Sequence, residues 1–194
     1  MGLLDHYRQQ VWGKFEVAEG ELIPEQLDFL HAFLRTHTEV RKVIEVGFNA
    51  GLSAATFLSG RGDIQVISFD LGFWGHVPVA KRVIDQVFPG RHQLILGNSL
   101  ETLPAFLTDV ANQHAYDLVF VDGGHEPPVP ASDLQCAHQL LKPVGWVIVD
   151  DYCDWYGPRG VIPAWNAAVA SREFVQIGPV HTIDDRGWVC GQPL

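Results

Sequence analysis

The sequence has 194 residues, of which 47% are hydrophobic, and its formal net charge is −10. An acidic surface repels phosphate groups, so neither nucleic acid nor a membrane surface is expected as a partner. No apolar run approaches the roughly 20 residues that span a bilayer, and the N-terminus lacks the apolar core of a secretory signal. We therefore expect a cytoplasmic protein with a single domain over residues 1–194, comprising an N-terminal helical segment (1–40) and a core (41–194).

Along the chain, short apolar runs alternate with stretches of helical character, which is typical of a mainly parallel sheet covered by helices. Before the first run, apolar residues from Leu27 to Leu34 have helical spacing, and Pro24 suits the first turn of that helix. The predicted strands are Lys42–Val46, Ile64–Asp70, His92–Leu96, Asp117–Val121 and Gly145–Val149. The predicted helices that follow them are Gly51–Leu58, His76–Val87, Leu100–Asn112, Ala131–Leu141 and Arg159–Ala170.

The C-terminal part has a different pattern. Phe174–Ile177 and Gly187–Cys190 are short β-like runs, and the segment HTIDDR between them predicts an antiparallel hairpin. Five strand–helix units followed by a hairpin predict a Rossmann-like α/β fold with a seven-stranded, mostly parallel sheet. In such sheets ligands bind beyond the carboxyl ends of the strands, so the residues there are the candidates for function.

The first strand leads into the segment EVGFNAG, residues 45–51, directly before a predicted helix. Its glycines, Gly47 and Gly51, allow a sharp turn that brings backbone N–H groups close to a ligand. The segment lacks the GxGxxG pattern of dinucleotide-binding loops, and the carboxylate of Glu45 is better suited to a cationic ligand than to a pyrophosphate. A tight turn without a ligand is the alternative.

Asp70 ends the second strand. A carboxylate in this position can accept hydrogen bonds from both hydroxyls of a ribose, and NAD-binding folds use the same device. Asp70 therefore indicates an adenosine-type ligand without choosing one cofactor. A loop aspartate or a helix cap is the alternative.

Acidic residues also follow the fourth and fifth strands, in the segment DGGH (122–125) and in the pair Asp150-Asp151. Neighbouring parallel strands lie about 5 Å apart, so Asp122, Asp150 and Asp151 should meet in one crevice. A divalent cation that prefers oxygen ligands, such as Mg²⁺, relieves the repulsion between three carboxylates. We expect these residues to be metal ligands. Alternatively, one caps a helix and another orients His125.

Together, EVGFNAGLSA, FVDGGH and VIVDDY resemble the class I S-adenosylmethionine-dependent methyltransferases. They are most similar to the small-molecule O-methyltransferase branch of macrocin, cephamycin-associated and aminocoumarin-sugar enzymes, from about residue 19 to the C-terminus. The resemblance implies S-adenosylmethionine as the cofactor, residues 23–26 as its cover and, as in catechol O-methyltransferase, a divalent metal. The cofactor-binding residues that it implies are Glu45, Gly47, Asn49, Gly51, Ser53, Asp70, Asn98, Ser99 and Asp122. An aspartate is common in that family where this chain has Asn98.

In the catechol enzymes the general base stands three residues after the first metal ligand, and His125 has that spacing from Asp122. An imidazole can accept a hydroxyl proton near neutral pH. The catalytic residues that the resemblance implies are therefore His125 and Asp122, acting on a small hydroxylated substrate. A histidine that only positions an aspartate remains the alternative. The family resemblance also suggests a homo-oligomer.

Two other functions remain open. A metal-independent O- or N-methyltransferase would use His125 alone, whereas a nucleoside- or NAD-binding module would transfer no methyl group. Several residues outside the motifs could border the ligands or simply pack on the surface: Phe73, Trp74 and His76 near the adenosine, and Tyr152, Trp155, Tyr156 and Arg159 near the acceptor. Asp133 and His138 do not share a helix face, and we expect both to be solvated.

Overall fold

Eight strands are found in the computed structural model, which describes residues 22–153 and 160–194. The strands are β1 (Lys42–Val46), β2 (Gln65–Asp70), β3 (His92–Leu96), β4 (Tyr116–Val121), β5 (Leu141–Val149), β6 (Phe174–Gln176), β7 (His181–Ile183) and β8 (Arg186–Pro193). The helices are α1 (Pro24–Thr36), α2 (Leu52–Gly60), α3 (Val77–Val87), α4 (Ser99–Leu107), α5 (Val129–Leu140) and α6 (Val161–Ala170), with a short 3₁₀ turn at Val110–Asn112.

The strand order is β3-β2-β1-β4-β5-β8-β6, and β7 pairs with β8 beside this path. The strands from β3 to β5 are parallel, whereas β8 runs antiparallel to β5, β6 and β7. The Rossmann-like fold with a C-terminal antiparallel hairpin is therefore confirmed. The eighth strand, β7, lies within the predicted connection HTIDDR. It forms because His181 pairs with Trp188 across the hairpin, where their rings stack with centroids 5.2 Å apart.

Two predicted boundaries differ from the structure by four residues or more. The fifth strand begins at Leu141 rather than Gly145, because Pro143 and Gly145 continue the strand instead of separating it from α5. The register between β4 and β5 shifts in this region, which accommodates the extra residues. The predicted helix Leu100–Asn112 is divided after Leu107, because the Asp109 side chain accepts a hydrogen bond from the Ala111 N–H and starts a separate turn.

The central strand β4 shows how the sheet is covered on both faces, since each of its residues is buried. Leu118 and Phe120 belong to the apolar cluster beneath α1, α2 and α3, whereas Val119 and Val121 belong to the cluster beneath α4, α5 and α6. This alternation follows from the two-residue period of a strand. Polar side chains are thereby confined to the strand ends, where the site is built.

The helix that precedes the sheet, α1, begins at Pro24 as predicted, and its side chains Leu27, Leu30, Phe33 and Leu34 are buried. They join the same apolar cluster as residues of α2 and of β8. None of the described helices is long and apolar enough to cross a bilayer. The role of α1 in the described part of the chain is to cover one face of the sheet and bring its first turn to the site.

Candidate active site

A cavity of about 800 Å³ opens at the carboxyl ends of β1, β2, β4 and β5. This volume is at the upper end of the roughly 300–1,000 Å³ of small-molecule sites, so a donor and an acceptor could share it. Most of the predicted site residues line it: Gly47, Asn49, Ser53, Asp70, Asn98, Ser99, Asp122, His125, Asp150 and Asp151. Glu45 and Gly51 do not.

The turn after β1 depends on close backbone packing at Gly47. Gly47 has a φ of +95°, and a Cβ added there would lie 1.9 Å from the carbonyl oxygen of Asp122. Only glycine therefore lets the turn after β1 approach the turn after β4 so closely. Gly51, with a φ of 71°, closes the other end of the turn, and its N–H donates to the Phe48 carbonyl.

Asp70 joins the end of β2 to this turn. Its Oδ2 accepts hydrogen bonds from the N–H groups of Phe48 (2.9 Å) and Asn49 (2.8 Å), and its Oδ1 accepts one from Gly72 (2.7 Å). A carboxylate can accept about four hydrogen bonds, so the half-buried Asp70 retains acceptor capacity toward the cavity. Asp70 thus supports the turn as well as facing the place where a ribose is expected.

Glu45 does not line the cavity, although the sequence predicts that its carboxylate suits a cationic ligand. Its side chain lies beneath the turn, fully buried, and accepts hydrogen bonds from the hydroxyls of Ser53 and Ser68. Burial raises the pKa of Glu45 to about 8, although these hydrogen bonds oppose the shift. Glu45 is therefore a neutral support for the turn at pH 7, and it reaches the cavity only through Ser53.

Three acids and one histidine meet after β4 and β5. Ligand atoms of Asp122, His125 and Asp151 all lie within 4.8 Å of one another, and the His125 Nε2 is 2.6 Å from the Asp151 Oδ2. Burial, followed by the charges of Asp150 and Asp151, raises the pKa of Asp122 well above its usual range. These groups therefore form one electrostatically coupled site, in which added positive charge would be stabilised.

Asp150 is held differently from its neighbour Asp151. Its Oδ1 accepts a 2.7 Å hydrogen bond from the Gln26 side-chain amide and a 2.9 Å bond from the Asp151 N–H. Burial and the charge of Asp151 raise the pKa of Asp150 to about 7. Gln26 in turn receives a hydrogen bond from the Ile23 N–H, so the first turn of α1 supports Asp150. Residues 23–26 are expected to cover the cofactor. The last of them, Gln26, thus reaches the acid cluster, and Leu22, which precedes the segment, lines the cavity.

At the other end of the cavity, the Asn98 side chain caps α4 by accepting a hydrogen bond from the Leu100 N–H. Behind the neighbouring Ser99 lies Asp133, which is only 1% exposed, contrary to the expectation that it is solvated. Burial raises the pKa of Asp133 to about 6, against a smaller opposing effect of the Ser99 side chain. His138 is half-buried, and its ring meets that of Phe174 edge to face.

The flanking aromatic residues are placed in different ways. Phe73 and Trp74 line the cavity and are largely exposed, while His76 contacts the Asn49 side chain. Tyr152 does not line the cavity, and its hydroxyl donates a hydrogen bond to the Asn166 side-chain oxygen. The other residues suggested for the acceptor side, Trp155, Tyr156 and Arg159, lie outside the described part of the chain.

A family model described as a methyltransferase domain matches residues 44–152, which are more than half of the chain. The protein belongs to this methyltransferase family. The matched region contains the turn after β1, Asp70 and the acids after β4 and β5.

Proteins similar in sequence to this chain include some named "Putative O-methyltransferase". One from Mycobacterium sp. (strain JLS) is 32% identical over 141 residues, 69% of this chain and 58% of the relative. One from Mycolicibacterium vanbaalenii is 34% identical over 114 residues, 58% of this chain and 47% of the relative. The chain thus spans about half the length of these relatives.

Solved structures share the fold of this chain at low sequence identity. The O-methyltransferase from Bacillus cereus in complex with SAH has a TM-score of 0.78 and 15% identity, covering 98% of this chain and 90% of that one. TomG from Streptomyces achromogenes, an O-methyltransferase of tomaymycin synthesis in complex with SAM, has a TM-score of 0.77 and 18% identity, covering 100% and 90%.

The roles of three polar residues could not be predicted from the sequence, although Gln26 belongs to the segment 23–26 that is expected to cover the cofactor. Gln26 precedes the matched family region, and its bond to Asp150 spans 124 positions, so no local pattern could reveal it. Asp133 was assigned to solvent because helical spacing alone does not show which face is buried. Arg186, which lines the cavity from the start of β8, was hidden in the predicted hairpin connection.

Proposed function

We propose that the protein is an S-adenosylmethionine-dependent O-methyltransferase that acts on a small hydroxylated molecule with the help of a divalent cation. The observation that supports this most strongly is that one cavity holds the glycine turn with Asp70 and, beside them, the acids with His125. A donor at the turn and an acceptor at the acids would then be adjacent, as direct transfer requires. The family match and the O-methyltransferase relatives support the same reaction class.

The donor would occupy the part of the cavity between the ends of β1, β2 and β3. Backbone groups of the turn at Gly47 and the side chains of Asn49 and Ser53 would hold its methionine part. Asp70 would accept hydrogen bonds from the ribose hydroxyls, and Asn98 and Ser99 would border the adenine. The cofactor supplies a methyl group on a positively charged sulfur, which the negative charge of the nearby Asp122 favours.

The residues after β4 and β5 fit a divalent cation. Asp122 and Asp151 would be two ligands, and Asp150, held by Gln26, would be the third. Oxygen ligands of this kind suit Mg²⁺, although the nearby His125 nitrogen would also suit a transition metal. When bound, the cation supplies positive charge that lowers the pKa of an acceptor hydroxyl.

His125 would accept the hydroxyl proton of the acceptor as general base. Its Nε2 contacts the Asp151 carboxylate, which fixes the ring and stabilises it once it is protonated. The same position would let His125 act as a ligand instead. The two roles differ in their consequences, because loss of a base slows transfer while loss of a ligand weakens metal binding.

Calorimetric titration of Mg²⁺ into the protein tests the metal site, with Asp151→Asn as the variant and the exposed Asp28→Asn as the control. The proposal predicts saturable binding that Asp151→Asn weakens at least about tenfold and Asp28→Asn leaves unchanged. His125→Gln should bind Mg²⁺ like the wild type but transfer a methyl group to protocatechuate at least about a hundredfold more slowly. Transfer that continues at full rate in EDTA would favour the metal-independent methyltransferase.

A further inference from the structure

Arg186 is placed at the far end of the cavity from the expected donor. β8 pairs with β5 so that Val189 is opposite Val149, and the Tyr152 N–H donates to the Gly187 carbonyl. Arg186, the residue before Gly187, therefore lies just past the Asp150-Asp151 pair. In the strand order, β8 is four strands from β2, roughly 19 Å at the usual strand spacing. The Arg186 side chain thus lies on the side of the cavity where an acceptor is expected, away from the place expected for the ribose.

The charge of Arg186 distinguishes it from the residues around it. Among the cavity-lining residues that the structure describes, it is the only lysine or arginine, whereas five are aspartates: Asp70, Asp122, Asp150, Asp151 and Asp185. Its charge lowers the pKa of Asp122 and of Asp150, against the larger effect of their burial. The guanidinium is therefore near the acid cluster and contributes to its electrostatic field.

The Arg186 side chain nevertheless forms no salt bridge and no hydrogen bond with any described residue. A guanidinium that served only to neutralise the aspartates would be expected to contact one of them. This one is half-buried, and no residue in 22–153 or 160–194 engages its five N–H donors. The planar arrangement of these donors matches a carboxylate, which guanidinium groups bind through two parallel hydrogen bonds.

We propose that Arg186 binds a carboxylate of the acceptor, so that the substrate is a hydroxylated organic acid. This inference rests on the proposed function, because it assumes that the hydroxyl lies at the cluster of Asp122, His125 and Asp151. The hydroxyl end of the acceptor would then lie at the acids and the carboxylate end at β8. Such a molecule would be oriented by its two ends, and neutral analogues would lose the second contact.

The test uses the full chain, saturated with S-adenosylhomocysteine and Mg²⁺, and two probes that differ in charge, protocatechuate and its methyl ester. The variants are Arg186→Gln, Arg186→Lys and the control Arg82→Gln, since Arg82 is exposed on α3. Wild type and Arg82→Gln should bind the acid at least about tenfold more tightly than the ester. Arg186→Gln should lose this preference through weaker binding of the acid, and Arg186→Lys should keep part of it.

Equal affinity of the wild type for acid and ester, failure to bind the acid, or an unchanged preference in Arg186→Gln would overturn the inference. Binding of S-adenosylhomocysteine, measured first for each variant, separates it from the proposed function. Absence of that binding in the wild type would contradict the proposed function. Loss of S-adenosylhomocysteine binding in Arg186→Gln alone would mean that Arg186 holds the carboxylate of the donor. This outcome would also overturn the inference.

Discussion

The side-chain amide of Gln26 donates a 2.7 Å hydrogen bond to the carboxylate of Asp150, and both side chains are buried. This bond connects the first turn of α1 to the end of β5. It fixes an acid that we propose as a metal ligand, and it couples the stability of the N-terminal helix to the site. Supports of this kind commonly orient metal ligands.

Replacement of Gln26 by alanine should lower the free energy of unfolding by about 2 kcal/mol, because a buried carboxylate would lose a charge-assisted hydrogen bond. Urea unfolding at pH 7 measures the change. The exposed Gln135→Ala on α5 is the control and should change the value by less than about 0.5 kcal/mol. Equal stability of Gln26→Ala and the wild type would show that the bond contributes nothing.

The contact between Gly47 and Asp122 predicts that Gly47→Ala prevents the two turns from packing. The added methyl group would lie 1.9 Å from a backbone oxygen, in a backbone conformation that disfavours side chains. We expect a loss of at least about 2 kcal/mol in the free energy of unfolding, or no folded protein. Gly62→Ala is the matched control, because a Cβ there meets nothing within 4 Å. A Gly47→Ala protein as stable as Gly62→Ala would contradict the structure of the turn.

Glu45→Gln tests whether Glu45 acts as a neutral support. Since burial raises the pKa of Glu45 to about 8, the side chain is protonated at pH 7 and glutamine imitates it. S-adenosylhomocysteine should therefore bind Glu45→Gln within about threefold of the wild type at pH 7, but bind Glu45→Ala at least about tenfold more weakly. A tenfold loss already in Glu45→Gln would show that a charged Glu45 is needed at the donor site.

The buried carboxyl of Asp133 should make the difference in unfolding free energy between the wild type and Asp133→Asn depend on pH. Its pKa is raised to about 6 in the folded state, so the folded protein favours the protonated form, and stability is lost as the pH rises from about 4 through 6. Asp133→Asn stays neutral and should be more stable than the wild type by about 3 kcal/mol at pH 8, with little difference at pH 4. Urea unfolding at both pH values checks this, with Asp28→Asn as the control. A pH-independent difference would mean that folding does not raise the pKa of Asp133.

The fold was largely predictable because its signals are local. Each parallel strand is a short apolar run, and the residues at its carboxyl end necessarily share one edge of the sheet, so the meeting of Asp122 and Asp151 could be predicted. The third member of their group is His125, expected as a base, whereas Asp150 was expected as the third ligand. The burial of Glu45 could not, because its partners Ser53 and Ser68 lie on different elements. The same limit applies to Gln26 and Arg186, which reach the site only through tertiary packing.

The most direct test of the account is calorimetric titration of S-adenosylhomocysteine into the wild type and into Asp70→Ala, with circular dichroism to confirm that both are folded. The proposed function predicts micromolar binding by the wild type, about −8 kcal/mol. Asp70→Ala should bind at least about tenfold more weakly, since Asp70 both faces the ribose and holds the turn at Phe48 and Asn49. A folded wild type that binds no S-adenosylhomocysteine, or equal binding by folded Asp70→Ala, would contradict the donor site proposed here.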